Sequence, residues 1–84
     1  MIFYPTKREL MDAILEVLKS ENTMSTSEID NAVAIKLNLS EEHLSEESSN
    51  CSGTEYSYRM RWARTELKQR HLITNPKRGT WILL

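Results

Sequence analysis

Cysteine, glycine and proline are scarce in this sequence, and long apolar runs are missing. Its 84 residues contain one cysteine, two glycines and two prolines. One cysteine excludes an internal disulfide and a cysteine-rich zinc site. So few glycines and prolines argue against a linker or a low-complexity tail. No stretch approaches the roughly 20 apolar residues that span a membrane, so we expect one folded domain over residues 1–84 and no membrane segment.

Features of secretion and of catalysis are also missing. The start of the chain holds no apolar run long enough for a signal peptide, which predicts a cytoplasmic protein. There is no glycine-rich phosphate loop, no paired-carboxylate nuclease motif and no Ser-His-Asp set. Cys51 stands in a polar segment without a nearby base, and His43 and His71 lack partners at zinc spacing. We expect no catalytic residue, no cofactor and no metal.

Charge is distributed unevenly along the chain. Residues 1–58 contain four basic and eleven acidic residues, a balance of −7, whereas residues 59–84 contain seven basic residues and one acid, a balance of +6. The overall charge of −1 therefore conceals two opposed fields. A positive segment attracts phosphates within a Debye length of about 10 Å at 0.1 M salt, whatever the net charge. This asymmetry makes a nucleic acid the first partner to consider.

Apolar periodicity predicts three helices, which cover about residues 7–19, 26–37 and 55–70. Thr6 with Glu9, and Ser25 with Glu28, have the spacing of capping boxes at the first two helix starts. Met24 is expected to be extended between these helices. The segment LSEEHL predicts one further helical turn capped by Ser40, and the polar residues 45–54 predict a mobile loop.

A β-hairpin is predicted after the third helix. Two short apolar runs, residues 72–74 and 80–83, flank a turn that contains Asn75, Pro76 and Gly79. The tip of this hairpin carries two adjacent cations, Lys77 and Arg78.

The third helix divides into an inward and an outward face. Its inward stripe is Met60, Ala63 and Leu67 at helical spacing. Trp62 is expected at the edge of the core, where an aromatic cluster with Tyr4 and Trp81 would anchor the fold. The outward face predicted from the same spacing consists of Ser57, Arg61, Arg64, Thr65 and Lys68.

The order of two helices, a basic helix and a hairpin with a basic tip is that of a winged helix-turn-helix, a mainly α fold with a small hairpin. In that arrangement the third helix lies in the major groove and the hairpin touches the backbone. Arginine binds guanine edges or phosphates through two parallel hydrogen bonds, and lysine binds phosphate as a point charge. The predicted DNA-binding residues are therefore Ser57, Arg61, Arg64, Thr65, Lys68, Lys77 and Arg78.

A second interpretation stays open at this point. A basic helix face is often simply solvated, and Arg70 has the spacing to pair with Glu66. Such a chain would be a protein-interaction or dimerisation module without DNA affinity, and a homodimer is one form that it would take. The acidic half of the sequence would then offer a surface to a basic partner.

Three segments resemble a known family. The segments are Tyr4-Pro5-Thr6, the run from Arg61 to Lys68 followed by His71-Leu72-Ile73, and the run from Pro76 to Trp81. Together they resemble the N-terminal domain of Mrr-type restriction proteins, with a tyrosine-proline start, a WARTYLKKAGLL-like helix end and a PxRGxW hairpin. The resemblance covers essentially the whole chain, with specific motifs in its last third.

The resemblance implies a winged-helix module that binds double-stranded DNA, plain or methylated. In the family this module precedes a PD-(D/E)XK nuclease domain that cuts modified DNA, and we expect no such nuclease core within residues 1–84. The chain would then be the recognition part of a type IV-like restriction endonuclease or a stand-alone binder. It departs from the family pattern at Glu66, where tyrosine is common, and at His71, where a glycine ends the helix. Losing that glycine is expected to make the turn into the hairpin less relaxed.

Overall fold

The computed structural model describes residues 3–50 and 52–84. The chain is mainly helical with a small three-stranded antiparallel sheet. The elements in chain order are α1 (Lys7–Glu21), β1 (Thr23–Ser25), α2 (Thr26–Lys36), α3 (Glu41–Ser45), α4 (Glu55–Gln69), β2 (Ile73–Lys77) and β3 (Thr80–Leu83). All predicted helices are confirmed within two residues at each end, and α4 is the predicted third helix. No helix in this part of the chain is both long enough and apolar enough to cross a membrane.

Local capping sets where the two long N-terminal helices begin. The Thr6 hydroxyl accepts from the Glu9 amide at 3.1 Å, and the Glu9 carboxylate accepts from the Thr6 amide at 2.9 Å. Ser25 and Glu28 repeat this reciprocal pair at 3.2 and 2.8 Å. Each cap contributes about 1 kcal/mol, because it satisfies amides that the first helical turn leaves without partners. Both predicted capping boxes are confirmed.

The sheet joins the hairpin to the connection between α1 and α2. Its strand order is β1-β3-β2, and Met24 in β1 lies opposite Trp81 in β3. The extended residue predicted at Met24 is thus the centre of a strand. Residues 75 and 76 belong to β2 rather than to the hairpin turn, and the register of β2 shifts there. Pro76 has no amide hydrogen to donate, so an interruption of the ladder at this point is expected.

The core lies where α1, α2, α4 and β2 meet. Its fully buried large side chains are Leu10, Ile14, Leu18, Ile29, Val33, Met60, Leu67 and Ile73. The predicted inward stripe of α4 is confirmed, since Met60, Ala63 and Leu67 are completely buried. Burial of one such side chain stabilises the fold by about 1.5–3 kcal/mol relative to leaving it in water.

The predicted aromatic cluster is wrong. Trp62 is 50% exposed and meets Tyr58 edge to face at 6.4 Å between ring centroids. Trp81 is half-buried in the sheet, and Tyr4 donates a hydrogen bond to Glu46 at 2.8 Å. At about 100° per residue, a side chain two positions after Met60 points about 160° away from it. Trp62 therefore cannot join a core that Met60 faces.

The C-terminal end of α4 has a left-handed residue without glycine. The His71 amide donates to the Lys68 carbonyl and the Leu72 amide to the Leu67 carbonyl, each at 3.0 Å. These two bonds form a Schellman motif, which places its left-handed residue at position 71. His71 indeed has φ of 60°. A side chain bearing Cβ is strained in this region, which agrees with the less relaxed turn expected from the lost glycine.

Candidate nucleic-acid interface

Ion pairing separates the cations of this protein into two groups. Of its eleven lysines and arginines, five lie within 4.0 Å of a carboxylate oxygen. These five are Lys7, Lys36, Arg59, Arg64 and Arg70. Within residues 3–50 and 52–84 the other six have no such carboxylate, and all six side chains are exposed. They are Arg8, Lys19, Arg61, Lys68, Lys77 and Arg78, so four of the six lie on α4 and the hairpin.

The outward face of α4 carries two of these cations. Ser57, Arg61 and Lys68 are exposed and Thr65 is half-buried. On a helix with about 3.6 residues per turn, these four positions fall within an arc of about 80°. Two charged tips and two hydroxyls therefore share one face, as the spacing predicts. We call these four residues the helix face.

Arg64 does not belong to the helix face, so its predicted place there is wrong. Arg64 is only 7% exposed, and its Nη1 donates a hydrogen bond to Asp30 Oδ1 at 2.5 Å. Arg64 lies on the border between the helix face and the inward stripe, and its long side chain turns inward. There α2 supplies a carboxylate from 34 positions earlier in the chain, a pairing for which periodicity along α4 gives no signal.

Asp30 pays a desolvation cost in this ion pair. Burial raises the pKa of the Asp30 carboxyl, while the charge and hydrogen bond of Arg64 lower it, and burial has the larger effect. The backbone carbonyl of Asp30 is held independently, because it accepts a hydrogen bond from the Tyr56 hydroxyl at 2.6 Å. Asp30 is thus located by two contacts from α4.

Glu66 neutralises two cations at the other side of α4. Its carboxylate accepts from Lys7 Nζ at 2.9 Å and from Arg70 Nε at 2.8 Å, which confirms the predicted Arg70–Glu66 pair. The hydrogen bond from Lys7, followed by that from Arg70, lowers the pKa of Glu66. Arg59 is likewise paired, with Glu55 at 2.7 Å. At about 100° per residue, Arg59 and Arg70 lie on the side of α4 opposite the helix face, and their charge is partly offset.

At the hairpin tip Lys77 is the last residue of β2 and Arg78 lies in the turn that follows it. Gly79 closes the turn at φ of 79°, a conformation that residues with a side chain rarely adopt. The Gly79 carbonyl accepts a hydrogen bond from the amide of Thr26, the first residue of α2, at 3.0 Å. The tip is therefore attached to the start of α2 as well as to its own strands.

Trp62 and Tyr58 are candidate interface residues that the sequence interpretation missed. Both lie on the solvent side of α4, beside Arg61 and Thr65. An exposed aromatic ring next to cations is a group that contacts base edges or stacks on bases. Helical spacing already indicated that Trp62 is exposed, since it places this residue opposite the inward stripe. The large apolar side chain of Trp62 favoured the assignment to the core instead.

The remaining polar groups near the N-terminus have structural partners. His43 is half-buried, and its Nε2 lies 2.8 Å from the Phe3 carbonyl oxygen. Burial, followed by the Glu46 carboxylate, raises the pKa of Tyr4 to about 12. In the described part of the chain, no three His, Cys, Asp or Glu side chains are arranged to hold a metal ion. Cys51 lies outside the described residues.

Fold and charge together define a small helical module with an exposed basic helix and hairpin. The family model of the Mrr N-terminal domain matches residues 8–83. The chain therefore belongs to the Mrr N-terminal domain family, a module of restriction systems, and the resemblance drawn from its motifs is confirmed. Searches of curated proteins and of solved structures found no significant match.

Proposed function

We propose that this chain is a winged helix-turn-helix module that binds double-stranded DNA. In this proposal α2 and α4 form the helix-turn-helix, α4 enters the major groove and the hairpin is the wing. The order α1, β1, α2, α4 and hairpin supports it, as does the pairing of β1 with β3. The short helix α3 is an addition between α2 and α4.

The distribution of the unpaired cations carries this proposal. Arg61 and Lys68 on the helix face, and Lys77 and Arg78 at the hairpin tip, are exposed and have no carboxylate within 4.0 Å in the described ranges. Five other cations are paired with acids instead. Four of the six unpaired cations thus lie at these two places, and phosphate binding requires cations that are not already neutralised.

Roles within the interface follow from side-chain chemistry. The planar guanidinium of Arg61 has the geometry to bind a guanine edge or a phosphate through two hydrogen bonds. Lys68, Lys77 and Arg78 would bind phosphates and set the register on the duplex. Ser57 and Thr65 would donate hydroxyl bonds, and Trp62 would contact an apolar base edge. Arg64 is left out because Asp30 already occupies its guanidinium.

A titration of fluorescently labelled duplex, followed by anisotropy, tests the proposal. With four phosphates engaged, log affinity should fall against log salt with a slope of about −4. Arg61→Ala/Lys68→Ala should lower the affinity and reduce the slope to about −2. The matched control is Arg8→Ala/Lys19→Ala, which removes two exposed and unpaired cations from α1. Absence of binding at low salt, or an equal loss in the control, would refute the proposal.

We further propose that the module is the non-catalytic recognition part of a restriction-system protein that acts on DNA in the cytoplasm. The match to an N-terminal domain supports this division of labour. The same titration with plain and methylated duplexes of one sequence measures any preference for modified DNA. A nuclease assay on the purified chain with Mg²⁺ should leave the duplex intact, and cleavage would contradict the proposal.

A second candidate function is protein association. Ile35 on α2 is 80% exposed beside a groove of about 420 Å³ that Val17, Met24 and Ala32 help to line. Ser20, Glu21, Glu28 and Asn31 complete the lining, so the groove is apolar in part only, and the exposed isoleucine beside it favours contact with another protein. Light scattering across a concentration series tests for a homodimer, and Ile35→Glu should abolish it. Association without DNA affinity would favour this function over the first.

A further inference from the structure

The hairpin is held to the two helices behind it by a chain of polar contacts. The Thr26 amide donates to the Gly79 carbonyl at 3.0 Å, and Trp81 Nε1 donates to Thr26 Oγ1 at 3.0 Å. The Arg64 guanidinium carbon lies 6.0 Å from the centroid of the Trp81 ring, within cation–π range. Arg64 thus connects α4 to the hairpin as well as to α2.

The Arg64–Asp30 pair is poorly explained by stability alone. Burying two charges costs desolvation that the attraction between them often only offsets, and apolar residues of similar volume are frequently as stable. What such a pair does supply is orientation, since a planar guanidinium holds a carboxylate in one geometry. Here the pair fixes α4 relative to α2, and the same guanidinium lies against Trp81 in the strand that leads away from the hairpin tip.

We propose that Arg64 and Asp30 are positioning residues of the DNA interface. This role rests on the proposed function. The two residues set the position of the hairpin relative to α4, so that the cations of the helix face and those of the hairpin tip engage one duplex together. Once the helix face is bound, the hairpin contact is intramolecular, and its gain depends on the tip being held where a phosphate lies. Without the pair, the helix contacts persist but the hairpin contributes little.

A double-mutant cycle on DNA binding tests this role. One change, Arg64→Met/Asp30→Asn, removes both charges; asparagine keeps the shape of aspartate, and methionine keeps an unbranched, though shorter, side chain at position 64. The other, Lys77→Ala/Arg78→Ala, removes the hairpin cations. Affinity and salt slope are measured for the wild-type protein, each double variant and their combination. Circular dichroism and thermal unfolding of each protein show that it is folded at the assay temperature.

The two changes should be strongly non-additive. In the wild-type protein the hairpin substitutions should move the salt slope from about −4 to about −2. In the Arg64→Met/Asp30→Asn background the slope should already be near −2, and the hairpin substitutions should change the affinity less than about twofold. Equal effects in both backgrounds would overturn the positioning role. A slope reduced by only about one unit, with additive effects, would mean direct contact of Arg64 with phosphate and would also overturn it.

A second variant keeps the test decisive if the charge removal unfolds the protein. Thr26→Val keeps the shape of the side chain and the amide bond to Gly79, but it removes the acceptor of the Trp81 bond. It should show the same non-additivity with the hairpin substitutions, to a smaller extent, and full additivity would refute the proposal. Failure of the wild-type protein to bind duplex at low salt would instead refute the proposed function, so the two failures are distinguishable.

Discussion

Replacing His71 by glycine should stabilise this protein. His71 has φ of 60° at the position of the Schellman motif where the chain turns left-handed. A residue with a Cβ atom is destabilised by roughly 1–2 kcal/mol in that conformation. Glycine avoids this strain, but the greater freedom of the unfolded chain reduces the gain in stability by about 0.5–1 kcal/mol. The net expected gain is about 0.5–1 kcal/mol.

The His71 side chain itself should contribute little to that balance. It is exposed, and within residues 3–50 and 52–84 it makes no side-chain hydrogen bond or ion pair. The control His71→Ala removes the imidazole and keeps Cβ, so it should leave stability within about 0.5 kcal/mol of the wild-type value. The difference between the glycine and alanine variants therefore isolates the backbone strain.

Thermal and urea unfolding followed by circular dichroism measure this effect. For a chain of this size 1 kcal/mol corresponds to a change in Tm of about 4–8 °C, so the glycine variant should melt a few degrees higher. The urea midpoint should rise with an unchanged m-value. DNA affinity should stay within about twofold, because no interface residue changes. A glycine variant no more stable than the alanine variant would refute the argument from strain.

Three further predictions concern the ion pairs and the exposed aromatic ring. Asp30→Ala leaves a buried guanidinium unpaired, so unfolding in urea should show a loss of about 3–5 kcal/mol. Trp62→Ala should change stability by less than about 1 kcal/mol, since the ring is half-exposed, yet weaken duplex binding in the anisotropy assay; an unchanged affinity would exclude the ring from the interface. The pKa of Glu66 is held below its ordinary 4.5 by Lys7 first and Arg70 second. The extra stability of the protein over Glu66→Gln should therefore be present above pH 4.5 and disappear as the pH falls through the lowered pKa.

Local chemistry made the helices and the hairpin predictable. Thr6 and Ser25 mark helix starts because each satisfies an amide three residues further on, a contact that sequence spacing alone specifies. The Met60, Ala63 and Leu67 stripe was predictable for the same reason, since helical periodicity places these side chains on one side. The prediction for Trp62 was wrong because the apolar character of its side chain was given more weight than its angular position on the helix.

Long-range contacts could not be predicted in this way. The three residues of β1 are too few to show a period, and their pairing depends on the hairpin almost 60 positions later, as between Met24 and Trp81. Arg64 illustrates the same limit at the candidate interface. Its spacing is compatible with the outward face, and only packing of α2 against α4 brings Asp30 to it.

The sequence by itself determined the helices, their caps, the hairpin, the family and the segregation of positive charge into the last third of the chain. These properties depend on residue types at short spacing, where each contact partner lies within a few positions. The tertiary structure decided which cations stay free. Folding brings Glu66 of α4 against Lys7 and Asp30 of α2 against Arg64, and leaves Arg61, Lys68, Lys77 and Arg78 exposed. Whether a charge is neutralised depends on what lies within about 4 Å of it in space, which sequence distance does not specify.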